Sequence, residues 1–64
     1  MEKFIEIIKQ EMVRRKINLR ELSDIVGYSS PYVFYLLNGQ RRFNETSIEV
    51  FCEKLGIDMK FVKI

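Results

Sequence analysis

The sequence predicts an all-α domain, a compact bundle of four to five short helices. Three observations predict it. Apolar residues recur at helical spacing in several separate stretches of the chain. Asn18, Ser29 and Asn44 stand where helices start, and Gly27, Gly39 and Gly56 where they stop. No run alternates with period two for long enough to suggest a sheet. The chain has 64 residues, so residues 1–64 are read as one domain with a small core.

The first helix is expected over residues 3–16. Phe4, Ile5, Ile8, Met12 and Val13 are read as its apolar stripe, and Ile7 lies off that stripe, free to face solvent or a partner. Asn18 is placed to cap a second helix, with Glu21 at the spacing of a capping box. Leu22, Ile25 and Val26 give that helix a short apolar face, and Gly27 follows where a residue tolerant of positive φ is needed. Ser29 caps a third helix with Pro31 in its first turn, where a missing N–H costs nothing. That helix runs through Tyr32 to Leu37 and ends at Asn38-Gly39. Gln40, Arg41, Arg42 and Phe43 form a basic loop. Asn44 caps a fourth helix with Ile48, Phe51, Cys52 and Leu55 on one stripe, closed by Gly56. Asp58 is placed to cap a last turn or fifth helix, leaving Phe61, Val62 and Ile64 for packing.

Composition narrows the function. Hydrophobic residues make up 47% of the chain, too many for a disordered segment. The net charge of +2 identifies no partner, but its distribution is uneven. From Arg14 to Arg42 there are six basic and two acidic residues, while the remainder is net acidic. This polarity fits a face that meets a polyanion, and it equally fits a solvated surface. Arg14 and Arg15 are best read as meeting the dipole at the end of the first helix. For Arg41 and Arg42, directly after the third helix, phosphate contact is the preferred reading. Cys52 is the single cysteine and there is no histidine, so an intrachain disulfide and a cysteine–histidine zinc site are excluded. The lone thiol points to a core position in a protein of a reducing cytosol. No apolar run reaches the roughly 18 residues that would span a membrane, and the charged N-terminus is unlike a signal peptide. Without a histidine, a phosphate-cradling glycine loop or a paired nucleophile and base, the sequence speaks against an enzyme, and no cofactor or metal is expected.

The informative stretch runs from Leu19 to Gly39: two short helices, a glycine-containing turn, and a small residue, Ser23, in the first of them. Such a pair needs the first and fourth helices as a platform. Its second helix can then enter a DNA major groove, which admits a helix. Here the chain resembles the Cro and CI repressor family of helix-turn-helix domains, also called the XRE family, over roughly residues 4 to 57. The resemblance rests on the run from Ile17 to Ser23, then Gly27, Tyr28 and Ser29, then Val33, Leu36, Asn38 and Gly39, then Arg41 and Arg42, and last Leu55, Gly56 and Ile57. It implies a lambda-repressor-like fold with the helix-turn-helix at about 19–38. It also implies that Leu22, Ile25, Val33, Leu36, Ile48, Phe51 and Leu55 are core.

The same resemblance implies the site. Ser30 and Pro31, with the preceding Ser29, lie where base edges are usually read, and Tyr35 faces the groove one turn on. Asn38 donates to phosphate, and Gln40, Arg41 and Arg42 occupy the loop that meets the DNA backbone or reaches toward a groove, with Arg20 a further contact at the start of the second helix. This chain departs from many relatives, which carry Gln where it has Leu19 and Ser30. Its third helix is also apolar at Tyr32, Phe34, Tyr35 and Leu37, where relatives are often polar. In many relatives the position of Leu37 holds a Glu paired with an Arg at the position of Met12, so an apolar Met12–Leu37 contact is expected to replace that ion pair. Phe34 and the tyrosines are open to three readings: contacts to thymine methyls, sugars, bases or phosphate; ordinary packing or single exposure; or a protein-binding surface.

The expected function is therefore a sequence-specific transcriptional regulator of a bacterial cytosol or nucleoid. It would bind double-stranded DNA as a homodimer, formed in solution or only on DNA, with one third helix per half-site of a pseudo-palindrome and a dimer contact through residues 61–64 and the exposed end of the fourth helix. No sensor or peptidase domain is expected, as in short Cro-type members. The alternative is a protein-binding module on the same fold, an antirepressor or antitoxin.

Overall fold

Of the four helices, the last three start where the capping residues place them. The computed structural model describes residues 2–58, and among these residues there is no strand. The elements are α1 (Glu2–Arg15), α2 (Leu19–Val26), α3 (Ser30–Leu37) and α4 (Glu45–Leu55). The segment expected to supply a fifth helix and the dimer contact, Phe61 to Ile64, lies outside the described residues.

Helix α1 buries Phe4 and Ile8, and its Ile5 and Met12 pack half-buried against the same core. Val13 does not belong to the stripe: it is 77% exposed. It follows Met12 by one residue and so points about 100° away around the helix. Ile7, off the stripe as expected, is half-buried. The helix ends on Lys16, which takes a left-handed conformation at φ 55°. The Lys16 N–H donates to the Val13 carbonyl at 3.1 Å and the Ile17 N–H to that of Met12 at 3.0 Å, closing the last turn in a Schellman pattern. Ile17 then packs on the core.

Helix α2 starts with the expected capping box. Asn18 Oδ1 accepts from the Glu21 N–H at 2.8 Å, and the Glu21 carboxylate accepts from the Asn18 N–H at 3.0 Å. Such a cap contributes about 1 kcal/mol. Leu22, Ser23 and Val26 face the core, and Ile25 packs half-buried beside them. Gly27 turns the chain at φ 80°, a backbone that an L side chain adopts only under strain.

Helix α4 repeats the capping box with Asn44 and Ser47, whose side chains each accept from the other's N–H, at 2.8 and 2.9 Å. Ser47 also donates to the Asn44 carbonyl at 3.0 Å, which satisfies a hydroxyl that is almost wholly buried. Ile48, Phe51, Cys52 and Leu55 are buried together, as their spacing requires. Burial pushes the Cys52 thiol up, and the negative charge of Asp58 adds to the effect.

The two arginines that end α1 have different tasks. Arg14 grips Glu11, Nε to Oε1 at 2.6 Å, and this hydrogen bond holds the Glu11 carboxyl below its ordinary range. Arg15 reaches across to α4 and donates from Nη2 to the Leu55 carbonyl at 3.0 Å. The dipole it meets is therefore that of α4, not only that of its own helix.

Candidate nucleic-acid interface

The geometry of the candidate site begins with how α3 is held. Helix α2 packs on both α3 and α4. Three residues, Gly27, Tyr28 and Ser29, join α2 to α3. Tyr28 does not leave the surface of the turn bare: its ring stacks on Phe51 at 6.2 Å and leans on Tyr32 at 5.2 Å. Ser29 caps α3 by accepting from the Tyr32 N–H at 3.4 Å.

The two helices are also joined by a chain of hydrogen bonds. Ser23 Oγ donates to the Arg20 carbonyl at 2.8 Å, and Ser30 Oγ lies 2.8 Å from Ser23 Oγ. A serine hydroxyl has one hydrogen. With that of Ser23 committed to Arg20, Ser30 must donate to Ser23. The hydroxyl expected to read a base edge is thus tied to α2, and what it keeps is acceptor capacity.

Val33, Leu36 and Leu37 are buried, and Ser30 and Tyr32 are half-buried. The side of α3 that faces solvent is Pro31, Phe34, Tyr35 and Asn38, an i, i+3, i+4, i+7 set that lies on one stripe. Phe34 is 48% exposed and Tyr35 41%. Their rings meet edge-on with centroids 5.8 Å apart, so each restricts the other. Asn38 donates one side-chain N–H back to the Phe34 carbonyl at 2.8 Å, leaving its second N–H and its oxygen free for another partner.

The basic loop is fixed at both ends. The Gln40 and Arg41 N–H groups both donate to the Tyr35 carbonyl, at 2.9 and 3.2 Å, and Gly39 makes the bend at φ 75°. At the far end Phe43 is buried rather than part of a solvated loop. Its ring sits edge-on to Phe4 at 5.0 Å and to Phe51 at 5.2 Å. The intervening side chains of Gln40, Arg41 and Arg42 remain exposed. Arg41 and Arg42 line an open cleft with Ile5, Gly39 and Phe43.

The sequence-derived site residues therefore divide. Pro31, Phe34, Tyr35 and Asn38 share the outward stripe of α3. Gln40, Arg41 and Arg42 stand at its C-terminal end. Arg20 is exposed near the other end, where its backbone carbonyl belongs to the serine chain. Ser29 is occupied as a cap, Ser30 in the serine chain, and Tyr32 leans into the turn against Tyr28. Among the described residues, Arg20, Arg41 and Arg42 form no ion pair, whereas Arg14 and Arg15 both approach Glu11.

Sequence reasoning assigns Phe43 to a basic loop and Arg15 to the dipole of its own helix, and so misses that Phe43 packs in the core and that Arg15 bonds to α4. Phe43 did have a signal: an apolar residue just before the cap Asn44 and five before Ile48 is the pattern of a hydrophobic staple. Arg15 had none, because its acceptor is a backbone carbonyl forty residues along the chain. No helix among the described residues is long and apolar enough to cross a membrane. Compared with protein-family models, curated proteins and solved structures, the chain matches none.

Proposed function

We propose that the chain is a sequence-specific DNA-binding transcriptional regulator of the Cro/CI helix-turn-helix kind, in which α2, the three-residue turn and α3 form the DNA-binding unit. The observation that carries this reading is the outward face of α3. It bears no charge of its own, and exposed arginines that form no ion pair among the described residues stand near both of its ends: Arg20 at one, Arg41 and Arg42 at the other. A duplex groove presents the complementary pattern, with base edges on its floor and phosphates along both walls. With its side chains an α-helix is about 10–12 Å across, comparable with the width of a major groove.

In this reading α3 enters the groove, and Arg41, Arg42 and Arg20 neutralise phosphates on either side. Two copies would read the two halves of a pseudo-palindrome about one helical turn apart. Occupancy over a promoter then represses by excluding polymerase. The test is selection from a pool of randomised duplexes, followed by sequencing of the bound fraction. Enrichment of one motif supports the reading, and enrichment of a two-fold repeat supports the dimer.

A second reading has its own observation. Phe34 and Tyr35 form an exposed aromatic pair on an uncharged helix face, which also suits a protein partner such as another repressor or a toxin. A folded protein that enriches no duplex from the pool would favour this alternative.

A further inference from the structure

We propose that α3 reads its operator through the C5-methyl groups of thymine, with Phe34 and Tyr35 as the specificity-determining residues. The inference rests on the DNA-binding reading and specifies what that face recognises.

The argument is an inventory of what the outward stripe can offer a base edge. Pro31 has no N–H and no polar side chain. Phe34 is apolar. Ser30, beside the stripe, has spent its one hydroxyl hydrogen on Ser23. Asn38, at the helix end, has committed one N–H to the Phe34 carbonyl, and the helix carries no charged residue. What remains at the centre of the face is one tyrosine hydroxyl and two exposed rings. None of the side chains that make bidentate contacts to guanine or adenine stands at the centre of this face.

The base edges in a major groove are polar with one exception. Thymine carries a methyl group, and no other standard base presents an apolar group there. A face that is apolar at its centre and flanked by arginines fits phosphate walls at its rim and methyl groups at its floor. The alternative occupants of an aromatic face fit less of this: a wholly apolar partner would leave Arg20, Arg41 and Arg42 without counter-charges. The edge-on contact between Phe34 and Tyr35, at 5.8 Å, limits the ring motion that binding would otherwise have to arrest.

The test uses the motif enriched from the duplex pool, with each thymine replaced in turn by deoxyuridine. This removes the methyl and leaves the hydrogen-bonding pattern intact. At one or two positions per half-site the affinity should fall about fourfold, the effect of one methyl group returned to water. At those positions 5-methylcytosine paired with guanine should bind about fourfold more tightly than cytosine paired with guanine. Phe34→Ala or Tyr35→Ala, both exposed, should abolish the thymine–uracil difference at the position each ring covers. Equal affinity for the thymine and uracil duplexes at every position would overturn the methyl reading while leaving DNA binding intact. A uracil penalty that persists undiminished in both alanine variants would overturn the assignment to these two residues. Failure to enrich any duplex would remove the DNA-binding reading itself, and this inference with it.

Discussion

The ring of Phe43 meets that of Phe4 edge-on, with centroids 5.0 Å apart and planes at 75°. This contact ties the segment between α3 and α4 to the first turn of α1. Phe51 closes the same site from α4, at 5.2 Å. Arg41 and Arg42 immediately precede the buried ring, so their exposure on the outside of the loop depends on it. Phe43→Ala should cost about 3–5 kcal/mol, as for other buried aromatic truncations. A domain of this size has only roughly 3–10 kcal/mol in total, so much of the protein should unfold. Phe43→Leu, which keeps most of the volume, should cost about 1–1.5 kcal/mol and retain the fold. Urea melts followed by circular dichroism measure both, and an unchanged midpoint in the alanine variant would contradict the packing described.

The Ser30–Ser23–Arg20 chain makes a separate prediction, because it is the polar link between α2 and α3. Ser23→Ala and Ser30→Ala should each cost about 1 kcal/mol, and the double variant should cost less than their sum. The expected coupling is about 0.5–1.5 kcal/mol. Additive losses would mean that the two hydroxyls act independently.

Lys16 is in the left-handed region at φ 55°, at the position in a Schellman closure that glycine most often fills. A side chain there carries strain of about 1–2 kcal/mol. Lys16→Gly should therefore raise stability by about 0.5–1 kcal/mol after the greater entropy of an unfolded glycine is subtracted. Lys16→Ala, which retains Cβ, should give no such gain. Thermal melts of the two variants separate backbone strain from the loss of the lysine charge.

Leu37 is buried at the end of α3, and Met12 packs half-buried on the same core cluster. Leu37→Glu places a charge there without a partner and should destabilise the fold by about 3 kcal/mol or more. Adding Met12→Arg should recover part of that loss, since the two positions are expected to face each other. A double-mutant cycle showing no coupling would sink the pairing.

Much of this arrangement was legible in the chain because local signals agreed with one another. Asn18, Ser29 and Asn44 each cap a helix, Gly27 and Gly56 end one in a left-handed turn, and the core stripe of α4 is buried throughout. An apolar residue also stands just before each cap: Ile17 with Leu22 five residues on, Tyr28 with Val33, and Phe43 with Ile48. Each has the spacing of a hydrophobic staple, a pattern that sets the angle at which a chain enters a helix. Reading Gln40 to Phe43 as one basic loop overlooked the third of them. The contribution of Val13 was misjudged for the opposite reason: an apolar residue next to a stripe is not on it.

The outward stripe of α3 was legible in its position more than in its chemistry. Sequence spacing locates Pro31, Phe34, Tyr35 and Asn38 on one side of a helix, but it cannot show that Ser30 donates to Ser23 or that Asn38 turns back on Phe34. Those bonds depend on the approach of α2 and on the closure of α3. They are what leaves the outward face apolar.

The central claim is that Arg41 and Arg42, at the C-terminal end of α3, meet phosphates when α3 binds DNA, and salt dependence tests it most directly. Fluorescence anisotropy would follow binding to the enriched duplex across a range of salt concentrations. Log affinity should fall linearly with log salt, and Arg41→Ala and Arg42→Ala should each flatten the slope by about 0.9. Arg14→Ala, which removes a side chain already paired with Glu11, should leave the slope unchanged. Affinity that is indifferent to salt, or slopes that do not change in the Arg41 and Arg42 variants, would contradict the account.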